Sequence, residues 1–183
     1  MMKDIGHSSL SSHRDLQSVA IGILSSSPIG PLWLALSDIG VMIVDWSMTQ
    51  SEFTLKLQKC FNKYSVYDKA RTEEPLHQLS EYLAGTRRQF NLSLDITRMS
   101  PFQSQVLQLT LDIPYGKTST YKEIAGRVGN PHAARAVGRV EATNPIPIII
   151  PCHRVIGSDG SLHGYGGPGG INLKSWLLKL EQS

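Results

Sequence analysis

Features that would mark an exported, membrane-spanning or metal-binding protein are scarce in this sequence. Its 183 residues contain only two cysteines, Cys60 and Cys152, which are too few for a disulfide framework. No apolar run approaches the roughly eighteen residues that a membrane span needs, and residues 1–17 lack the apolar stretch of a secretory signal. His77 has no Cys or His neighbours at zinc-ligand spacing. We therefore expect a cytoplasmic protein (nucleoid-associated if prokaryotic) with reduced cysteines, no metal site, no membrane contact and a flexible extension over 1–17.

Charge is also scarce, but its distribution along the chain is uneven. Charged residues make up 18% of the sequence, and the net charge is +3. Residues 1–96 carry nine Lys and Arg against ten Asp and Glu, a net charge of −1, whereas residues 97–183 carry nine against five, a net charge of +4. A basic second half suits a polyanionic partner such as nucleic acid, although a solvated basic face would give the same count.

The hydrophobic pattern predicts an α+β protein with two domains. Residues 18–96 are expected to form a small support domain with a short antiparallel sheet and helices. Its predicted strands lie at 19–23, 31–36 and 40–45, its predicted helices at 52–61 and 75–84, and a last, alternating strand at 90–94. Residues 97–183 are expected to form a mostly helical second domain.

Capping signals predict a helix-turn-helix in the second domain. A first helix is predicted over 101–111, because a serine and a proline precede its apolar positions. Thr120 and Glu123 then match a capping box, which opens a helix that ends near residue 128. A tight turn follows, and a further helix is predicted over 131–142.

Two interpretations of this helix pair remain open. One is a plain αα-hairpin with a solvated basic face, and the other is a DNA-binding helix-turn-helix. Arg135 and Arg139 lie four residues apart and therefore share a helix face. Ala133 and Gly138 keep the surface near them small, which suits close approach to a duplex and favours DNA binding.

An apolar stretch at 145–156 contains the triplet Cys152-His153-Arg154. Hydrophobic runs seldom finish in this way, because neither His nor Arg gains from deep burial. Cys152 could be an inert apolar filler of a core strand. It could also be a nucleophilic thiol at the mouth of a pocket, with a base beside it. The local pattern fits both interpretations equally well.

Glycines and a final helix follow the cysteine. The segment 164–170 contains five glycines, a density that indicates either close approach to a ligand or a mobile loop. The last helix is predicted from Asn172, with Lys174 and Glu181 off its apolar face. Glu181 is either a solvated terminal carboxylate or, if this helix packs behind the cysteine, a partner that orients His153.

Several motifs in the same order resemble the O6-alkylguanine-DNA alkyltransferases. The most specific is Pro-Cys-His-Arg-Val at 151–155, preceded by Asn-Pro-Ile-Pro at 144–147. The other matches are Ile-Pro-Tyr-Gly-Lys-Thr at 113–118, Ala-Ala-Arg-Ala-Val-Gly at 133–138, Gly-Tyr at 164–165 and Lys-Ser-Trp-Leu-Leu at 174–178. The resemblance is strong over 101–181 and loose before it.

The resemblance implies a DNA-repair protein in which each molecule acts once. It would bind double-stranded DNA as a monomer through a winged-helix-like domain, flip out O6-alkylguanine (or O4-alkylthymine) and transfer the alkyl group irreversibly to Cys152, without a cofactor. His153 would be the base acting through a water, Glu181 its orienting group, and Tyr121 the residue that helps to rotate the nucleotide and protonates the leaving guanine. The implied DNA-binding residues are Tyr121, Ala133, Ala134, Arg135, Gly138 and Arg139, and the implied substrate pocket is Asn144, Val155, Tyr165, Gly166 and Lys174.

The sequence departs from the family pattern at two places. The glycine-rich loop 164–170 is longer than usual, so tolerance for bulky alkyl groups could differ. Glu141 stands where an apolar residue is usual, and we expect it to place an acidic group near the phosphate-binding face. The alternative function is a lesion-sensing or regulatory DNA-binding protein without transfer activity. Non-repairing relatives carry tryptophan at the reactive position, so Cys152 favours repair. A cysteine hydrolase would need an oxyanion hole that no motif indicates.

Overall fold

The computed structural model describes residues 18–166 and 168–183, and the expected extension over 1–17 lies outside them. Its elements, in chain order, are β1 (Ser18–Leu24), β2 (Leu32–Leu36), β3 (Val41–Trp46), α1 (Gln50–Phe61), β4 (Tyr64–Tyr67), α2 (Lys69–Leu83), α3 (Pro101–Leu111), β5 (Ser119–Thr120), α4 (Tyr121–Arg127), α5 (Ala134–Ala142), β6 (Val155–Ile156) and α6 (Gly170–Leu180). A small sheet comes first and a mostly helical part follows, so the predicted α+β fold is confirmed.

The main sheet has the strand order β3-β2-β1-β4. β2 pairs antiparallel with both β1 and β3, as the predicted antiparallel sheet requires. β4 pairs in parallel with β1 at the edge of the sheet. The sequence pattern did not predict β4, because its side chains do not alternate between a buried and an exposed face.

The segment 90–94 is not a strand, and this prediction was wrong. Among the described residues it forms a single bridge to the sheet, between Leu94 and Val41. The Val41 N–H donates to the Ser93 carbonyl over 2.9 Å. Gly40 permits this approach, because a Cβ there would lie 2.2 Å from the Ser93 oxygen. The apolar residues of the segment instead pack against the main core. This packing gives the same alternation of apolar and polar residues that a half-buried strand has.

Polar caps and turns set where the helices begin. α2 begins earlier than predicted, because Asp68 caps it by accepting from the Arg71 N–H over 3.0 Å. α5 begins later than predicted, because the chain makes a turn at 131–133. α4 begins at the predicted capping box, in which Thr120 accepts from the Glu123 N–H over 3.1 Å. Within the part of the chain that the structure describes, no helix has both the length and the apolar character needed to cross a membrane.

One hydrophobic cluster joins the sheet to the helical part of the protein. Its buried members include Val44 from β3, Leu79 from α2, Val106 from α3 and Val137 from α5. A smaller cluster joins the sheet to α1. The Val44 N–H also donates to the Pro145 carbonyl over 2.9 Å. β3 therefore fixes the start of the apolar stretch that leads to the cysteine.

Candidate active site

Cys152 lies in a single turn of 3-10 helix that follows the isoleucine-rich stretch. The residue is buried, with 4% of its surface exposed. The side-chain amide of Asn144 donates to the thiol sulfur over 3.2 Å and to the Ile150 carbonyl over 2.9 Å. Its oxygen accepts from the Ile146 N–H over 3.0 Å. Asn144 therefore ties the end of α5 to the turn that carries the thiol.

His153 and Glu181 form a buried pair directly behind this turn. Their Nε2 and Oε1 atoms lie 2.9 Å apart, and both side chains are fully enclosed. An ionised carboxylate can only accept, so the proton of the neutral imidazole lies on Nε2 and the lone pair on Nδ1. Among the described residues, Nδ1 of His153 has no hydrogen-bond partner. Glu181 is thus not a solvated terminal carboxylate, and the imidazole keeps one free basic nitrogen.

Burial and hydrogen bonds set the protonation of these three groups. Burial, followed by the nearby negative charge of Glu141, raises the pKa of the Cys152 thiol to about 12. Burial lowers the pKa of His153, so its imidazole is neutral at neutral pH. Burial would raise the pKa of Glu181, but hydrogen bonds from His153 and Arg154 outweigh it and hold this pKa at about 2. A protonated thiol beside a neutral base with an ionised orienting group is suited to base-assisted nucleophilic attack.

The helix-turn-helix borders an open cleft of about 560 Å³. Its lining includes the predicted residues Tyr121, Ala134, Arg135, Gly138, Tyr165 and Gly166. A Cβ added at Gly138 would meet the Tyr121 ring at 3.8 Å, an ordinary contact. Internal packing therefore does not require glycine at position 138. The effect of its small size is on the cleft, whose wall it helps to form. Arg135 and Arg139 are both exposed on α5, while Ala133 is half-buried at its start.

Lys174 braces this cleft from behind. It is 1% exposed, and its ammonium donates to the carbonyls of Val155 over 2.5 Å and Leu162 over 2.7 Å. It also lies 3.4 Å from the Tyr121 hydroxyl. Val155 and Lys174, which were predicted to belong to the substrate pocket, do not line the cleft.

Comparisons with known proteins show which family this chain resembles. Residues 22–96 and 101–183 match the family models described as 6-O-methylguanine DNA methyltransferase, ribonuclease-like domain, and 6-O-methylguanine DNA methyltransferase, DNA binding domain. A methylated-DNA–protein-cysteine methyltransferase of Methanosarcina barkeri is 43% identical over 157 residues, which cover 86% of this chain and 94% of that protein. The one from Mycobacterium bovis is also 43% identical over 157 residues, with 86% and 89% covered. The crystal structure of Mycobacterium tuberculosis OGT in complex with DNA has a TM-score of 0.74 and 40% identity, covering 90% of this chain and 92% of that chain.

The chain belongs to the 6-O-methylguanine DNA methyltransferase family. The resemblance drawn from its motifs is therefore confirmed.

Sequence reasoning missed two side chains that contact the buried pair of His153 and Glu181 in this methyltransferase. The Tyr82 hydroxyl donates to Oε1 of Glu181 and lies 3.2 Å from Nε2 of His153. Arg154 places Nη2 2.8 Å from Oε1 of Glu181 and donates to the Ile113 carbonyl over 2.5 Å. Arg154 gave a usable signal, because a buried arginine requires an acceptor. Tyr82 gave none beyond its position on the apolar face of α2.

Gly116 also belongs to the methyltransferase site. Its N–H donates to Oε2 of Glu181 over 3.0 Å. Its φ is +71°, and a Cβ there would lie 2.9 Å from the Glu181 carbonyl oxygen. This position therefore requires glycine. The Ile-Pro-Tyr-Gly part of the motif at 113–118, to which the sequence analysis assigned no role, therefore supplies a hydrogen-bond donor to the Glu181 carboxylate.

Glu141 is buried and does not belong to the exposed basic face of α5, so the expectation of an acidic group at that face was wrong. It is 5% exposed, and its Oε1 lies 2.5 Å from the Thr110 hydroxyl. It comes four residues after the buried Val137 and so shares the inward face of α5. Together with Asn144 and Cys152 it lines a cavity of about 260 Å³. Burial raises the pKa of Glu141 to about 7.

Proposed function

We propose that this protein repairs double-stranded DNA directly, by moving the alkyl group of an O6-alkylguanine base to Cys152. One observation carries the assignment. The buried thiol of Cys152, which is held by Asn144, directly precedes a neutral His153 whose Nδ1 is free to accept a proton. Membership of the 6-O-methylguanine DNA methyltransferase family supports the reaction. The DNA bound to the similar Mycobacterium tuberculosis protein supports the partner.

The transfer is a substitution at saturated carbon. The sulfur of Cys152 attacks the alkyl carbon while the bond from this carbon to guanine O6 breaks. The thiol proton passes to Nδ1 of His153, directly or through a water. Glu181 stabilises the resulting imidazolium by accepting its Nε2–H, the same division of labour as in a Ser-His-Asp triad. The product is a stable thioether, so each chain acts once and needs no cofactor.

Tyr121 is suited to protonate the leaving guanine. Burial, followed by the charges of Glu141 and Cys152, raises the pKa of Tyr121 to about 12, so its hydroxyl keeps its proton at neutral pH. Lys174 is the donor in the contact between the two side chains, which leaves the tyrosine hydrogen available. Protonation avoids release of a guanine anion, a poor leaving group, and lowers the barrier.

The helix-turn-helix provides access to a base that is buried in duplex DNA. Flipping a base out of the stack costs a few kcal/mol. The exposed Arg135 at the edge of the cleft can fill the vacated position, and the small surface at Gly138 allows α5 to approach the minor groove. Tyr165 and Gly166 would then contact the flipped base.

The domain division and the compartment belong to the same proposal. We divide the chain into a support domain over 18–96 and a DNA-binding, alkyl-accepting domain over 97–183. A single-use thiol must stay reduced until it meets a lesion, and both cysteines are free thiols. This requirement supports a reducing compartment such as the cytoplasm.

A labelled-methyl transfer assay tests the function. Incubation with duplex DNA that contains O6-[methyl-labelled]guanine should move label to protein until the transferred amount equals the amount of active protein. The DNA should then contain unmodified guanine. A lesion sensor would retain the modified DNA without moving label, and a turnover enzyme would exceed one transfer per chain. Either result contradicts the proposal.

A further inference from the structure

Two cavities meet beside the thiol. The open cleft at the helix-turn-helix contains Tyr121 and Arg135, whereas the smaller cavity of about 260 Å³ contains Cys152 itself. Ala142 and Gly166 line both. A Cβ added at Gly166 would lie 2.6 Å from the Ala142 carbonyl oxygen, so the two walls touch at this point. The cleft and the smaller cavity are therefore neighbours, and the O6 substituent of a base held in the cleft has to reach the smaller cavity to meet the thiol, because Cys152 lines only that cavity.

The smaller cavity is where atoms beyond the transferred carbon must lie. During substitution at saturated carbon, the attacking sulfur, the carbon and the leaving oxygen lie on one line. The other substituents of that carbon point sideways from this line, into the space beside the thiol. That space extends past Asn144 to Asp45, Lys56 and Cys60 in the first half of the chain. A cavity of this size can hold groups larger than methyl.

Glu141 lines this cavity, and one of its two carboxyl oxygens is buried without a partner among the described residues. Only 5% of the residue is exposed. Oε1 lies 2.5 Å from the Thr110 hydroxyl, while Oε2 has no hydrogen-bond partner among the described residues. A buried carboxyl oxygen without a partner is costly for the fold. Its position next to the reactive thiol indicates that a substrate group completes its hydrogen bonding.

The nearby cations do not complete the hydrogen bonding of Glu141 Oε2. Lys174 acts on Glu141 through its charge, but its ammonium hydrogens go to the Val155 and Leu162 carbonyls and to Tyr121. Lys56, at the far end of the cavity, is paired with Asp45 over 2.5 Å. No described ion pair therefore neutralises Glu141.

We propose that Glu141 selects the alkyl groups that this site accepts. Neutral groups with a hydroxyl close to the transferred carbon, such as 2-hydroxyethyl, are preferred, because the hydroxyl pairs with Oε2. Anionic groups such as carboxymethyl are disfavoured, because they place a second carboxylate in a buried cavity next to the first. The inference rests on the proposed alkyl transfer and assigns its substrate preference.

The test compares single-turnover transfer rates from duplex DNA carrying O6-methyl-, O6-(2-hydroxyethyl)- or O6-carboxymethylguanine. The proteins are the wild type, Glu141→Gln and Glu141→Met, with Glu141→Leu in place of the methionine variant if that does not fold. Rates are measured at pH 8, where the Glu141 carboxyl, with its pKa of about 7, is mainly ionised. Each rate is divided by the methyl rate of the same protein, which removes any general effect of Glu141 on the thiol. Glu73→Gln, an exposed substitution on α2, is the control for the change in net charge.

Two changes are expected. Glu141→Gln should raise the carboxymethyl-to-methyl ratio by about tenfold or more, because a buried like charge is removed. Glu141→Met should lower the 2-hydroxyethyl-to-methyl ratio by about fivefold, because one hydrogen bond is lost. Glu73→Gln should leave both ratios at the wild-type values.

The inference is overturned if either ratio stays within about twofold of the wild type in its Glu141 variant, or if Glu73→Gln changes the ratios equally. A different failure would point to the proposed function. If the wild type transfers no methyl group at all, the repair activity is wrong. If it transfers methyl normally and the ratios do not depend on Glu141, only the substrate preference is wrong.

Discussion

Glu181 is held by donors from distant parts of the chain. Tyr82 reaches it from α2, Gly116 from the loop after α3, and His153 and Arg154 from the turn that carries the thiol. In the proposed reaction this carboxylate orients the base, so the reactivity of the thiol should depend on residues that do not contact the substrate. Single substitutions in this cluster separate orientation of the base from DNA binding.

Tyr82→Phe should slow alkyl transfer about tenfold, because a hydrogen bond of roughly 1–2 kcal/mol to the orienting carboxylate is lost. Without this donor the carboxylate attracts the His153 proton more strongly. The pKa of His153 should rise, and the acidic limb of the rate profile should move to higher pH. Single-turnover rates between pH 5 and 9 measure both effects.

Tyr64→Phe is the matched control, because Tyr64 is 54% exposed on β4. It should match the wild type in rate and profile. DNA affinity should be the same for all three proteins. A slower Tyr82→Phe variant with an unshifted pH profile would indicate a packing role for Tyr82 alone.

Glu181 also makes stability depend on pH. Its pKa in the folded protein is about 2, against an ordinary value of 4.5. A lowered pKa contributes stability that is fully present above the ordinary value and is lost as the pH falls towards the folded value. The wild type should therefore lose about 3 kcal/mol of unfolding free energy from this group between pH 4.5 and 2.

Urea unfolding of wild type and Glu181→Gln at pH 7 and at pH 3 measures this contribution. The variant should be less stable at pH 7, because Arg154 keeps a buried charge without its partner. The difference between the two proteins should shrink at pH 3. A difference that is equal at both pH values would show that folding does not lower the pKa of Glu181.

At the scale of elements, α4 and α5 present the basic surface. Arg135 and Arg139 are exposed on the same face of α5, so each alanine substitution should weaken binding to any duplex. Each should also reduce the slope of log affinity against log salt by about one, if each side chain contacts one phosphate. Fluorescence anisotropy with undamaged duplex at several salt concentrations measures this slope.

Lys59→Ala, an exposed substitution on α1, removes the same charge from the first half of the chain and should leave the slope unchanged. Equal slopes for all of these proteins would remove the helix-turn-helix from the DNA interface.

Local signals predicted the elements, whereas distant contacts decided what the sequence could not predict. The capping box at Thr120 needs only neighbouring residues and was predicted correctly. The segment 90–94 alternates as a strand does, but the edge of β3 meets it at one position. The motif located Cys152 and its neighbours. Tyr82 is separated from Glu181 by 99 residues, and no local pattern indicates such a contact. The sequence identified Glu141 as a departure from the family pattern. Whether its side chain points inward or towards solvent depends on how α5 packs, which no local pattern indicates.

At the scale of the whole molecule, the two proposed domains share one core. The main hydrophobic cluster runs from the sheet through α2 to α3, α5 and α6, and Tyr82 joins the first half of the chain to the Glu181 cluster of the second. We therefore expect the halves to unfold together. Hydrogen exchange should give similar opening free energies for amides in β2 and in α3. Opening of residues 18–96 at a much lower free energy would show that the first half is only loosely attached.

Mass mapping of the alkylated residue tests the central claim most directly. Wild-type protein, Cys152→Ala and Cys60→Ala are incubated with duplex DNA that contains O6-methylguanine, and the intact proteins and their peptides are weighed. The wild type and Cys60→Ala should gain the mass of one CH2 group per chain, on the peptide that contains Cys152, and Cys152→Ala should gain nothing. A methylated Cys152→Ala variant, a modification on another residue, or DNA repaired beyond one lesion per chain would contradict the account.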